Sequence, residues 1–308
     1  MNQRIKAAAV IVLKGFCMGA ADVVPGVSGG TMAFILGIYT RFVDAIKSFD
    51  ATWMKAFVRF DLPTVLTRPD FPFIVPLVVG IFCAILFFTH LIPLPRLLET
   101  HPQYVYGLFF GLIIGSIVVL IKGLGGLRPI DMPPLIAGLL LGIVLVTAVP
   151  AETPDTWWFV MLCGALSICA MVVPGISGSF VLLLLGKYAY VLDAVGHFRM
   201  AVVAPFALGA LAGLFSFTRL LSWLLHRHER VALLAISGIL LASLWVVWPF
   251  QQRRYVEIRG ELKWVESSPL LPEFSGTALA VGVLAATGFV IVVAMQRVAS
   301  TSVKSGDS

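Results

Sequence analysis

The sequence predicts an all-α polytopic membrane protein, and three observations carry that reading. Apolar residues fill 59% of the 308 positions and charged residues only 12%, where a soluble domain holds about 25% charge. Mean hydropathy is +0.98, so too little polar surface exists to cover a water-facing globule. The third observation is an internal repeat, in which residues 21–45 align without gaps to residues 170–194 at a constant offset of 149. The net charge of +6 does not point to nucleic acid, because no soluble basic domain accompanies it. Membrane proteins concentrate Lys and Arg in cytoplasmic loops.

At the N-terminus, Arg4 and Lys6 precede an apolar run ending near Gly19-Ala20-Ala21, the outline of a signal peptide. Lys14 interrupts that run and the motif after it is copied internally, so the segment is read as mature structure. Residues 7–24 and 27–46 then flank Pro25-Gly26, and 157–173 and 176–195 flank Pro174-Gly175. Proline removes a backbone donor and glycine relaxes the helix, so the chain unwinds at both places. Each broken pair is either a re-entrant hairpin or two full crossings, and both return the chain to its starting side.

Three long apolar segments follow each break: 72–92, 104–122 and 133–150 in half one, and 201–224, 231–249 and 276–296 in half two. Most are near the 20 residues that cross the hydrocarbon core as helix. The loop 41–70 holds room for an interfacial helix around Trp53 to Phe60. The expected organisation is one transmembrane domain over 1–308, with repeat halves 7–150 and 157–296. Three crossings are an odd number, so the second half enters inverted. Charge agrees: with the N-terminus cytoplasmic, fourteen Lys and Arg fall in inside segments and seven in outside ones, as the positive-inside rule asks. Both termini are therefore expected in the cytoplasm and the 150–156 linker outside.

The repeat is chemical as well as apolar. Ala21-Asp22-Val23-Val24-Pro25-Gly26-Val27-Ser28-Gly29-Gly30 faces Ala170-Met171-Val172-Val173-Pro174-Gly175-Ile176-Ser177-Gly178-Ser179. Leu36-Gly37 matches Leu185-Gly186, Tyr39 matches Tyr188, and Asp44-Ala45 matches Asp193-Ala194. More weakly, Gly111 and Ser116 pair with Gly238 and Ser243, and Gly138 pairs with Gly282. Gly107, Gly111 and Gly115 form a small-residue stripe suited to helix packing.

The runs Gly26–Thr31 and Gly175–Ser179 open new helices, whose N-termini bind anions readily. Transporters with inverted repeats build midplane substrate sites from such discontinuous helices. Pro25, Gly26, Ser28, Gly29, Gly30 and Thr31, with Pro174, Gly175, Ser177, Gly178 and Ser179, are the candidate substrate-binding residues. The alternative is that their small side chains only let the hairpins pack. Asp22 is an ionisable group inside an apolar segment, a functional candidate by default. Lys14 lies eight residues earlier on the same helix face and is its candidate ion-pair partner; the two are candidates for proton or cation coupling. Arg41 and Lys187 lie further from the breaks and are candidates for attracting a headgroup at the interface.

No constellation for catalysis is visible. The runs lack the Gly-Lys-Ser/Thr ending of a P-loop, no base stands beside the serines, and Ser28-Gly29 and Ser177-Gly178 have no following His, as an acid-phosphatase-type membrane enzyme would. Cys17, Cys83, Cys163 and Cys169 lack disulfide or zinc spacing. No cofactor or metal is expected.

The stretch Gly15 to Tyr39, GFCMGAADVVPGVSGGTMAFILGIY, closely resembles the first signature of the bacterial DUF368 family. Val173 to Tyr188, VPGISGSFVLLLLGKY, resembles its second, and length and segment spacing fit over essentially the whole chain. The resemblance implies a carrier that returns undecaprenyl phosphate to the inner leaflet of the bacterial cytoplasmic membrane for envelope synthesis. Its expected partners are polyprenyl phosphate, membrane lipid and coupling protons or cations, with no nucleic acid. The family pattern has an acidic residue after the motif tyrosine, where this chain has Thr40 and Ala189. The residues alone reach an inverted-repeat transporter for an anion. A small-anion or ion transporter and a membrane lipid-phosphate enzyme are the rival readings.

Overall fold

The computed structural model describes residues 3–22, 28–88, 97, 100–148, 153–258, 261–272 and 275–304. Half one opens with α1 (Gln3–Asp22), α2 (Gly29–Ile35) and α3 (Tyr39–Lys47). Half two opens with the matching α9 (Trp157–Val172), α10 (Gly178–Leu184) and α11 (Tyr188–Gly196). The segments 27–46 and 176–195, expected as single helices, are each broken a second time. Gly37 and Gly186 stand at φ +67° and +63°, in the left-handed region that only glycine enters freely. At the second of these breaks the chain turns by 113° between α10 and α11.

Between α3 and the next apolar helix lie two short helices, α4 (Ala51–Val58) and α5 (Leu62–Thr67), where the sequence places an interfacial helix. Asp50 and Asp61 cap them by accepting from Trp53 N–H at 2.9 Å and Thr64 N–H at 3.4 Å. The Trp53 indole donates to the Val65 carbonyl at 3.1 Å, closing the pair. Arg68 pairs with Asp50, and its hydrogen bond holds the Asp50 carboxyl well below the usual range. Met54, Phe57, Val58, Leu62 and Leu66 are exposed, an apolar side of the kind an amphipathic interfacial element carries.

The remaining helices are α6 (Phe71–Leu86), α7 (Pro102–Gly123), α8 (Met132–Thr147), α12 (Met200–Arg227), α13 (Glu229–Val246) and α14 (Gly276–Lys304). Among the described residues, five helices are long and apolar enough to cross a membrane, or six with the bent α10–α11 pair. The protein is a multi-pass membrane protein. One addition to the helical plan lies outside the apolar segments: strands β1 (Gln251–Ile258) and β2 (Glu261–Pro269) form an antiparallel hairpin.

The chain divides into two compact units that cut across the sequence halves. Unit 1 holds residues 1–93 and 148–232, and unit 2 holds 94–147 and 233–308. In unit 1, α1 packs along α6 and α9 along α12, and both pairs use one glycine register. A Cβ on Gly15 would strike the Leu77 carbonyl, and one on Gly164, 149 positions later, the Phe206 carbonyl. Gly80 likewise abuts the Val12 carbonyl and Gly209 the Met161 carbonyl. Such contacts bring backbones together where lipid gives no hydrophobic drive for helix association.

In unit 2 the contacts cross between halves. Gly111 of α7 abuts the Ala285 carbonyl of α14, and Gly238 of α13 abuts the Leu135 carbonyl of α8. Gly138 of α8 meets the Ala235 carbonyl, and Gly288 of α14 meets the Leu108 carbonyl. The mate of Gly138 is thus Gly288, not Gly282, whose added side chain would meet nothing within 4 Å. The stripe Gly107, Gly111 and Gly115 lies along α14 from Val281 to Val292. On the opposite side of α8, Ile136, Leu140 and Val144 are exposed, the apolar exterior that a bilayer covers.

Candidate functional site

Both Pro-Gly motifs belong to unit 1, and their chain segments meet. In motif one, Ser28 caps α2: its Oγ accepts from the Thr31 N–H at 3.2 Å and lies 3.1 Å from the Thr31 hydroxyl. Ser28 and Thr31 are 3% and 1% exposed. The Gly29 N–H donates to Asp22 Oδ1 at 2.6 Å, so the carboxylate at the end of α1 sits on the positive end of α2. In motif two, Ser177 caps α10 in the same way, accepting from Phe180 N–H at 3.2 Å. Ser177 Oγ lies 3.4 Å from the Ser179 hydroxyl, and Ser179 is exposed. Met171 stands where Asp22 would repeat, and the polar contact comes instead from Ser167, whose hydroxyl donates to the Gly178 carbonyl at 3.0 Å.

The junction rests on two hydroxyls, of Thr31 and Tyr39, and two glycines, Gly175 and Gly30. Gly175 N–H donates to Thr31 Oγ1 at 2.9 Å, and Gly175 holds φ +93°, a conformation a side chain would oppose. Gly30 approaches the Met171 and Val172 carbonyls so closely that a Cβ would stand 3.0 Å from each. The Tyr39 hydroxyl donates to the Val172 carbonyl at 3.2 Å. Pro174 is fully buried. Pro25 and Gly26 lie outside the described residues.

The chain matches a family described as undecaprenyl phosphate translocase-like over residues 18–262, a span that takes in both motifs. The chain belongs to that family. It is similar to the polyprenyl-phosphate transporter of Vibrio cholerae, 40% identical over 240 residues, covering 78% of this chain and 77% of that protein. It is also similar to the polyprenyl-phosphate transporter of Staphylococcus aureus, 30% identical over 256 residues, covering 77% and 85%. No solved structure matches. By this membership the chain is a membrane transporter and not an enzyme.

The charges of this translocase-like chain sit in specific places. Lys14 does not pair with Asp22. Its ammonium donates to the Leu36 carbonyl at 3.0 Å, at the C-cap of α2. The eight-residue spacing on α1, about 12 Å at 1.5 Å per residue, matches the length of the short antiparallel α2. An acid therefore sits at the positive end of α2 and a base at its negative end, complementing the helix dipole. Sequence reasoning placed both charges on one face but looked for the partner within α1.

Arg41 pairs with Asp70 at 2.8 Å and lies over the Phe73 ring at 4.5 Å. Lys187 is 3% exposed; its ammonium pairs with Asp155 and donates to the Thr153 carbonyl at 2.7 Å. The Thr153 hydroxyl in turn donates to the Leu185 carbonyl at 2.5 Å. Leu185 is the repeat mate of Leu36, so both short helices have the same terminal carbonyl satisfied by a side chain, Lys14 in one half and Thr153 in the other. Sequence reasoning missed Thr153, Asp155 and Ser167 as supports; each lies outside the aligned stretch 170–194, where no repeat signal marks it.

Proposed function

We propose that this chain moves polyprenyl phosphate, of the undecaprenyl class, across the bacterial cytoplasmic membrane and returns it to the inner leaflet for envelope synthesis. The observation that carries this reading is the meeting of the two motifs at Thr31 and Gly175 in a chain whose named relatives transport polyprenyl phosphate. The motifs supply what a phosphate needs on leaving water. First-turn N–H groups of α2 and α10 have no intrahelical partners. Those of Gly29, Thr31 and Phe180 are given to Asp22, Ser28 and Ser177, so a headgroup displaces Asp22 or uses the remaining first-turn N–H groups with the hydroxyls of Ser28, Thr31, Ser177 and Ser179. Without several such donors, burial of the charged headgroup is very costly. The lipid tails stay in the bilayer; Arg41 and Lys187 are each paired with a carboxylate, Asp70 and Asp155, so they attract a headgroup only if those pairs part.

We read the two halves as inverted repeats with re-entrant hairpins. The seven-residue α2 and α10 are each about 10 Å long, a third of the hydrocarbon core. The exchanged glycine contacts in unit 2 fit a two-fold relation between halves. Both termini are then cytoplasmic. In a Cys-free background, Pro154→Cys is expected to react with an impermeant thiol reagent added from the periplasmic side; reaction from the cytoplasmic side alone would overturn the inversion.

Purified protein in liposomes tests the function directly. Labelled polyprenyl phosphate is expected to change leaflet, without inorganic anion flux and without phosphate release. Anion flux alone would assign a small-anion transporter, and released phosphate an enzyme. Asp22 is the coupling candidate, because its carboxylate caps a helix inside the motif. Asp22→Asn is expected to preserve the fold and flatten the dependence of transport on a proton or cation gradient. Gradient dependence equal to wild type would leave Asp22 a purely structural cap.

A further inference from the structure

α3 is built as a lever. It has nine residues, and it follows the Gly37 turn, where an added side chain would meet nothing within 4 Å. Its first residue, Tyr39, is hydrogen-bonded to the end of α9. Its last turns meet α12 through a chain of polar groups. The Ser222 hydroxyl donates to Asp44 Oδ1 at 2.6 Å and accepts from the Lys47 ammonium at 3.0 Å. His226 Nε2 lies 3.4 Å from Asp44 Oδ2, and its Nδ1 lies 2.8 Å from the Ser222 carbonyl. Half one is thereby fastened to half two at both ends of α3.

The fastening is dry on one side and wet on the other. Ser222 is 0% exposed, whereas the side chains of Asp44 and His226 are 37% and 60% exposed. Asp44, Lys47 and His226 border a cavity of about 470 Å³ that Ser48 and the Asp50–Arg68 pair also line. Charges that separate beside such a cavity regain water, so parting them costs far less than breaking a fully buried pair. The arrangement therefore permits a reversible tie between α3 and α12. The repeat mate of Asp44 is Asp193, whose ion pairs with His197, at 3.1 Å, and Arg199 are local to its own segment.

We propose that Asp44, Lys47, Ser222 and His226 form a gate between α3 and α12 that parts and re-forms in each transport cycle. The cycle itself rests on the transport reading above, so the test has one arm that does not need the substrate. Spin labels at Ser48→Cys and Arg227→Cys, with the four native cysteines replaced, report the α3–α12 distance in nanodiscs. Two distance populations are expected, and Ser222→Ala should raise the longer one several-fold. In the second arm, the same Ser48→Cys and Arg227→Cys pair, which leaves all four gate residues in place, is joined by a cleavable thiol cross-linker in liposomes. Polyprenyl phosphate transport should fall at least tenfold on linking and recover on cleavage. One distance population that Ser222→Ala does not move, or equal transport by linked and cleaved protein, overturns the gate. Two populations with the expected shift in a protein that moves no polyprenyl phosphate would uphold the gate and overturn the substrate.

Discussion

Transport is expected to collapse in Gly29→Val while the protein stays folded. A Cβ at Gly29 would stand 2.8 Å from Asp22 Oδ2, the far end of a movable side chain, so the carboxylate is pushed off its cap and the backbone is spared. The new side chain then fills the approach to the first turn of α2, where the headgroup is proposed to dock. Gly178→Val closes the pseudo-equivalent place, but its Cβ would meet the Ser167 backbone carbonyl at 2.6 Å. Backbone yields less easily, and overpacking of this kind costs about 1–3 kcal/mol, so this variant should also melt earlier. Ser28→Ala and Ser177→Ala are milder, each removing a helix cap worth about 0.5–2 kcal/mol. Gly107→Val is the control: its Cβ would stand 2.9 Å from Val281 Cγ1 in unit 2, so thermal stability falls while transport per folded molecule persists. Wild-type rates in folded Gly29→Val and Gly178→Val would reduce both motifs to packing devices.

Asp155→Ala is expected to destabilise the protein strongly. Asp155 is itself mostly exposed, with its side chain at 62%, and by that measure its loss should matter little. Its partner decides otherwise, because the Lys187 side chain is only 4% exposed. Removing the acid leaves a buried ammonium with the Thr153 carbonyl as its remaining hydrogen-bonding partner, and an uncompensated buried charge costs roughly 3 kcal/mol. Lys187→Met removes the stranded charge, so Asp155→Ala with Lys187→Met should be more stable than Asp155→Ala alone. Thermal unfolding in detergent measures the order of the three variants. A double variant no better than the single one would mean that Asp155 acts through the linker backbone and not through Lys187.

Helical spans and motif positions were legible because bilayer and glycine chemistry leave strong marks: long apolar runs, and Pro-Gly-x-Ser-Gly at a fixed offset. The second break in each hairpin was written just as plainly in Leu36-Gly37 and Leu185-Gly186, but a glycine within an apolar run reads equally as a packing residue. Its positive φ appears only in three dimensions. The Gly138 pairing went astray because Gly282 and Gly288 both fit a sparse apolar pattern, and only the Leu108 contact separates them. The hairpin 251–269 alternates apolar and polar residues only over Val256-Glu257-Ile258, a signal hidden beside far longer helical ones. Lys14 could not be assigned from sequence, since its partner is a backbone carbonyl that folding brings back 22 positions later.

The bracketing of α2 by Asp22 and Lys14 makes the two motif segments unequal. The positions that repeat them are Met171 and Cys163, so half one brackets its short helix directly with charge. In half two the hydroxyls of Ser167 and Thr153 meet backbone carbonyls, and the Lys187–Asp155 pair stands behind Thr153. Charge is answerable to voltage, to salt and to any ion that enters the site; a hydroxyl is nearly deaf to all three. A chimera carrying half two in both places would keep the serine caps of the hairpins and lose the charges that meet both ends of α2 directly.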